Sequence, residues 1–179
     1  MRLSSTLTAA LTATAALALT ATGAAAAPGA APAAATAARP GVCQEQALKV
    51  SASSGGQRNV ARIAVTNRGG TTCVVDRIPT VTFRGLDGSA EAVPPATSAP
   101  YTLSPGEHGY AAVRTAAPGA SEGHVVRTLS VAADPSHHGV TFGASTVGMG
   151  RGIQVWEPIT TLWHTSRASA DRALEGATR

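Results

Sequence analysis

Between Asn59 and Asn67 the chain reads Asn-Val-Ala-Arg-Ile-Ala-Val-Thr-Asn, with apolar residues at alternate positions. Ala61, Ile63 and Val65 share one face and Arg62 and Ala64 the other, the period of a half-buried antiparallel strand. The same alternation returns at Thr80–Arg84, with Val81 and Phe83 inward, and at Gly109–Thr115, with Tyr110, Ala112 and Arg114 opposite Ala111 and Val113. Val125–Ala132 reads as one strong strand, and Thr72–Asp76, Ala90–Val93, Tyr101–Leu103, Val140–Phe142, Gly152–Trp156 and Ile159–Trp163 as shorter ones. Glu45–Ser53 carries Ala47, Leu48, Val50 and Ala52. It reads as a strand, with a short helix over Gln44–Lys49 as the alternative.

The punctuation between these runs agrees with strands. Ser53–Gln57 is a turn, and Asp87-Gly88 is a hairpin signal joining Thr80–Arg84 to Ala90–Val93. Ser104-Pro-Gly-Glu107 has Pro second and Gly third, as a type II turn requires. Pro94–Pro100 must be a loop or an edge, because proline cannot donate to a ladder. About seven to nine short strands at this spacing, without βαβ alternation, predict an all-β immunoglobulin-like antiparallel sandwich. A parallel sheet is not expected.

Both ends depart from this pattern. Residues 1–27 open with Arg2, continue as an Ala/Leu/Thr run and end in small residues with Ala-x-Ala cleavage expected near Ala25 to Ala27. That is the layout of a secretory signal peptide. A transmembrane anchor is disfavoured because threonines interrupt the run and large apolar residues are few. Residues 28–40 are low-complexity Ala/Pro, expected to be a disordered tether. The folded domain is expected over 41–165 and a tail over 166–179, with one or two helical turns at Ser169–Glu175. An isolated helix that short is marginal in water. The expected location is therefore extracellular, with no stable membrane insertion of the mature protein.

Export changes how the two cysteines are read. Cys43 follows Arg39-Pro-Gly-Val42 and lies far from the apolar run, so it does not fit a lipid-modified cysteine. In an oxidising compartment two lone cysteines pair, so Cys43 and Cys73 are expected to form a disulfide. Its loop of about 30 residues would contribute roughly 3 to 4 kcal/mol by loop-closure entropy. A redox or metal pair would show Cys-x-x-Cys spacing, which is absent.

Charge and candidate chemistry narrow the function classes. The net charge is +4, and thirteen of the fourteen basic residues are Arg, scattered without a run of three. Nucleic-acid binding concentrates basic residues on one face, so it is not expected. His137 and His138 with Asp134 are the most tempting metal cluster, beside His108, His124 and His164, but adjacent histidines in a Pro/Gly loop are ordinarily solvated turn residues. No Gly-x-Ser-x-Gly elbow is present, and Glu45, Asp76, Asp87, Glu91, Glu107, Glu122, Asp134 and Glu157 are scattered at turns. Gly143–Gly152 is rich in glycine but lacks the lysine and helix of a phosphate loop, so no cofactor is expected. Trp156, Trp163, Tyr101 and Tyr110 are assigned to packing before ligand binding, since aromatics dominate core energetics.

In order, Cys43, Val65-Thr-Asn67-Arg-Gly69, Cys73, Pro79, Val81-x-Phe83, Asp87-Gly88, Leu103-Ser-Pro-Gly106, the Ala-rich Gly109–Val113 and Leu129-Ser-Val131 before Pro135 make one pattern. Over about residues 41 to 160 it resembles DUF4232, a family of secreted and lipoprotein-type actinobacterial domains of unknown function. Many members carry a further cysteine pair, which Gly123-His-Val-Val-Arg127 lacks. The resemblance implies a secreted immunoglobulin-like sandwich and supplies no catalytic residues. The function expected is a non-catalytic module binding an extracellular protein or a cell-envelope component. The alternatives are a secreted hydrolase or metal-dependent enzyme using the His-bearing loops, and a protease-inhibitor-like module presenting Pro94–Pro100.

Overall fold

The run around Ile63 becomes the centre of the fold. In the computed structural model, which describes residues 39–177, it forms β2 (Val60–Asn67) with Ala61, Ile63, Val65 and Asn67 buried on one side. The signal peptide expected over 1–27 and nearly all of the tether lie outside the described residues. Before β2 comes β1 (Leu48–Ser54), and after it β3 (Cys73–Asp76), β4 (Thr80–Phe83), β5 (Glu91–Val93) and β6 (Pro100–Leu103). There follow β7 (His108–Arg114), β8 (His124–Val126), β9 (Thr128–Ala132), β10 (Val140–Gly143), β11 (Ile153–Val155), β12 (Ile159–Thr161) and the helix α1 (Arg167–Gly176).

Five strands form the larger sheet in the order β1-β2-β7-β12-β5, and three form the opposing one, β10-β9-β4. Two-stranded ladders β3-β6 and β8-β11 complete the strands. Ala61, Ile63, Val65, Ala111 and Val113 from the larger sheet meet Val81, Phe83, Leu129 and Val131 from the smaller one in a single apolar cluster. Val75, Leu103, Val126, Ile153 and Val155 from the short ladders join it. Alternation places these residues on the two inner faces of an antiparallel sandwich. The predicted all-β sandwich with one disulfide is what forms.

The larger sheet also carries weight on its outer face. Ala170 and Leu174 of α1 pack with Val60 and Ala112 in a second cluster. Ser166 caps the helix by accepting from the amide of Ser169. The segment read as a tail with at most two helical turns is thus a ten-residue helix docked on the sheet. Tertiary burial supplies what its short length lacks.

Several local readings need correction. Glu45–Ala47 is a 3-10 turn and the strand begins only at Leu48, so the two readings of this stretch each describe part of it. Val125–Ala132 is not one strand: β8 pairs with β11 while β9 sits between β4 and β10. Arg127 is the corner, and its carbonyl accepts from Ala144 instead of continuing a ladder. The Asp87-Gly88 turn reverses the backbone, with Ser89 opposite Thr82 and the Ala90 amide on the Val81 carbonyl, but the hairpin stops there. The backbone then crosses to the larger sheet, where β5 runs parallel to β12, the one parallel ladder among the described strands. Among the described residues there are twelve strands where about seven to nine are expected; Val125–Ala132 divides into two, and β5, β8, β11 and β12 are each three residues long.

Two glycines show turn and packing chemistry. Gly106 has φ +77° in the Ser104–Glu107 turn, closed by the Glu107 amide on the Ser104 carbonyl at 2.9 Å. A Cβ at Gly109 would lie 3.1 Å from both Tyr101 and Val65, so the bare backbone lets those side chains close over β7.

Candidate functional site

Cys43 and Cys73 are bonded, both buried, and link the segment before β1 to the start of β3. Around this link the histidine turn is fastened down. Glu45 accepts from the amides of Gly139 at 2.7 Å and His138 at 3.1 Å, and His138 Nδ1 lies 3.3 Å from the same carboxylate. His137 Nε2 is 2.9 Å from the Cys43 carbonyl. Asp134 accepts from the Ser136 amide and hydroxyl and from the Asp76 amide. Of the side chains that look most like metal ligands in the sequence, His137 and Asp134 therefore meet backbone, while the exposed His138 ring meets only the Glu45 carboxylate. These bonds pull the Glu45 carboxyl below its ordinary value, the Gly139 amide first and the His138 amide next. Burial pushes Asp134 up, but the Ser136 and Asp76 hydrogen bonds outweigh it and its value is lowered.

The other histidines lie elsewhere. His108 stacks on Tyr110 with ring centroids 5.8 Å apart and has Nδ1 2.8 Å from the Thr66 hydroxyl. His164 pairs by backbone with Tyr110, and burial, with the Arg172 charge, lowers its value. Among the described residues no three His, Cys, Asp or Glu side chains are placed to share a metal ion. The glycine-rich Gly143–Gly152 is a packed connection in which Val147 is fully buried and Ala144 nearly so. In Pro94–Pro100, Arg77 Nε donates to the Thr97 carbonyl, the Arg77 amide to the Ala99 carbonyl, and Ser98 Oγ to Asp76.

Trp163 is buried and Tyr101 half-buried, both against Gly109, and Tyr110 lies half-buried beside the α1 cluster. Trp156 behaves differently, with 39% of its surface exposed. It stands in a cleft of about 320 Å³ with Phe83, Asp87, Ser89, His124 and Glu157. Three features place it there. Gly123 runs so close that a Cβ would meet the Trp156 side chain at 3.1 Å. The Trp156 amide bonds to the Thr115 carbonyl at 2.8 Å, which pins the backbone. Glu157 then adopts φ +47°, a left-handed conformation that costs a non-glycine residue roughly 1 to 2 kcal/mol. Strain of this kind clusters at functional sites.

The Leu86–Gly88 turn is the ridge between this cleft and a second, of about 430 Å³, on the outer face of the smaller sheet. There Thr82, Ser130 and Thr141 are register partners across three strands, giving a row of hydroxyls. Ser130 Oγ and Thr141 Oγ1 lie 2.8 Å apart, and the Thr128 hydroxyl beside them is buried without a hydrogen-bond partner among the described residues. The surface thus joins an aromatic face, two carboxylates (Asp87 and Glu157), an imidazole and hydroxyls. In the sequence the visible signal of this site is the Asp-Gly turn, while the aromatic pattern assigns Trp156 to packing.

The fold defines the class: a disulfide-closed antiparallel β-sandwich domain with a shallow, polar, aromatic-bearing cleft at one turn. The family model "Domain of unknown function (DUF4232)" matches residues 43–163, and the chain belongs to that family. The match runs from the first disulfide cysteine to the core tryptophan, so α1 lies beyond it. No curated protein and no solved structure matches this sequence.

Proposed function

We propose that this is an exported, non-catalytic module that binds a cell-envelope glycan through the cleft at Trp156. The carrying observation is Trp156 itself, held half out of the surface by a pinned backbone with Asp87, Ser89, His124 and Glu157 around it. An aromatic face packs on the apolar face of a sugar ring, and carboxylates, imidazole and hydroxyls accept or donate to its hydroxyl groups. Two carboxylates in the cleft disfavour an acidic ligand. Export rests on the signal-peptide layout of residues 1–27. Among the described residues no helix is long and apolar enough to cross a membrane.

The test is sedimentation of the full-length protein with purified insoluble envelope glycan, beside Trp156→Ala and Asp87→Ala. Loss of an aromatic anchor weakens binding by roughly 30-fold, with the melting temperature near that of the parent. A folded Trp156→Ala protein that binds the glycan as well as the parent overturns the reading.

A second reading, a secreted hydrolase, draws on the same cleft because it brings His124 together with Asp87 and Glu157. Release of soluble product from the glycan, abolished by His124→Ala, would select it over the binding module.

A further inference from the structure

A different cleft lies on the outer face of the larger sheet, between the β1–β2 turn and the end of α1, and it has the opposite charge character. Arg62 on β2 and Arg114 on β7 reach it from the sheet, since Arg114 is the register partner of Val60. Arg58 reaches it from the turn and stands exposed at its rim. Arg62 is already engaged, with Nε and Nη2 on the Asp171 carboxylate at 2.9 to 3.1 Å. Arg114 differs: its Nε and Nη1 atoms are buried and have no hydrogen-bond partner among the described residues. Asp171 and Glu175 also line the cleft, and three arginines against two carboxylates leave a formal charge of +1.

A guanidinium cannot shed its charge, and enclosed N–H groups without an acceptor are unfavourable. Arg114 also lines the cleft, so an anion held there would supply that acceptor once the guanidinium turns toward the opening. The cavity is about 130 Å³, room for one acid group and its first substituents, with Val60, Pro118 and Leu174 as an apolar wall. A phosphate dianion would bring its second charge against Asp171 and Glu175. A carboxylate brings one charge and a plane matched to the guanidinium. We infer that this cleft is a carboxylate-binding site in which Arg114 is the principal donor and Arg58 the rim contact. The site is independent of the Trp156 cleft, and its α1 wall lies outside the stretch matched by the family model.

The test is a titration of the full-length protein, at constant ionic strength, following the Arg114 Nε–H resonance. The probes are acetate, acetyl-trialanine, its C-terminal amide and inorganic phosphate. Acetyl-trialanine should shift the resonance saturably and the amide should not. Tighter binding of the peptide acid than of acetate assigns polypeptide C-termini as the source, and equal binding assigns small free acids. Arg114→Gln should weaken binding about tenfold, as loss of a charge-assisted donor implies. Arg58→Ala, at an exposed turn, should weaken it without changing the melting temperature, and it keeps the test open should Arg114→Gln fail to fold. Absence of saturable binding by any carboxylate, binding of phosphate alone, or affinity unchanged by Arg58→Ala and by any folded Arg114→Gln overturns the assignment.

Discussion

Glu45 accepts a hydrogen bond from the amide of Gly139 at 2.7 Å, joining the segment beside the disulfide to a turn ninety-four residues away. The bond is made by the charged form, which is why the carboxyl lies below its ordinary value. A lowered folded value contributes stability that is present above the unfolded value, about 4.3, and is lost as pH falls through the folded one. Asp134, also lowered, adds to the same acid limb. We expect Glu45→Gln to be less stable than the parent at pH 7 and to converge with it near pH 2 (about two units below the free carboxyl range). Chemical denaturation across that range is the measurement. A constant difference at every pH would show that the Glu45 charge has no part in the tie.

Asn67 ends β2 with its side chain fully enclosed. Its Nδ2 donates to the carbonyls of Thr71 and Leu103, both at 2.9 Å, and its Oδ1 accepts from the Gly69 amide at 2.8 Å. One amide therefore closes the Asn-x-Gly turn and fastens it to the end of β6. Asn67→Ala strands all three backbone groups, and we expect a loss of roughly 2 to 4 kcal/mol. Urea unfolding measures it. Asn67→Asp should be similarly damaging, because a carboxylate facing two carbonyls has no proton to donate.

The elements set by local chemistry are legible from the residues. Ala61, Ile63 and Val65 alternate because one face of β2 is buried, and Pro105 and Gly106 determine their turn whatever surrounds it. What escapes a reading of the residues is decided at long range. Nothing local to Arg127 says that β8 and β9 join different ladders, and nothing in Glu91–Val93 announces a parallel partner at Ile159–Thr161. Trp156 reads as packing because aromatics bury most surface. Its exposure depends on Gly123 alongside it, the Thr115 carbonyl and the left-handed Glu157, contacts and backbone angles that a strand pattern does not report. The α1 helix offers only Ala170 and Leu174 as buried contacts, too few for an amphipathic stripe to declare a docked face.

The docking of α1 should rest on its apolar contact more than on its ion pair. Leu174 is 6% exposed in the cluster with Val60 and Ala112. Leu174→Ala should cost roughly 2 to 3 kcal/mol, the low end for a leucine near an edge. The Arg62–Asp171 pair has side chains 35% and 28% exposed, so solvent screens it. Asp171→Asn should cost about 1 kcal/mol or less. Thermal unfolding of both variants tests the order. A larger loss from Asp171→Asn would mean that charge holds the helix.

The Cys43–Cys73 bond encloses β1, the turn after it and β2, a loop of 30 residues by sequence separation. Most of that loop is ladder, so the native sandwich can keep its register when the bond is cut. The bond acts chiefly on the unfolded polypeptide, whose freedom it restricts. The Cys43→Ala, Cys73→Ala variant should therefore fold, with an unfolding free energy lower by about 3 kcal/mol and a circular dichroism spectrum like that of the parent. Intact mass under non-reducing conditions should be lower than after reduction by the two hydrogens the bond removes. Free thiols at both positions in the purified protein, or a double variant as stable as the parent, would show that the staple contributes nothing to the fold it closes.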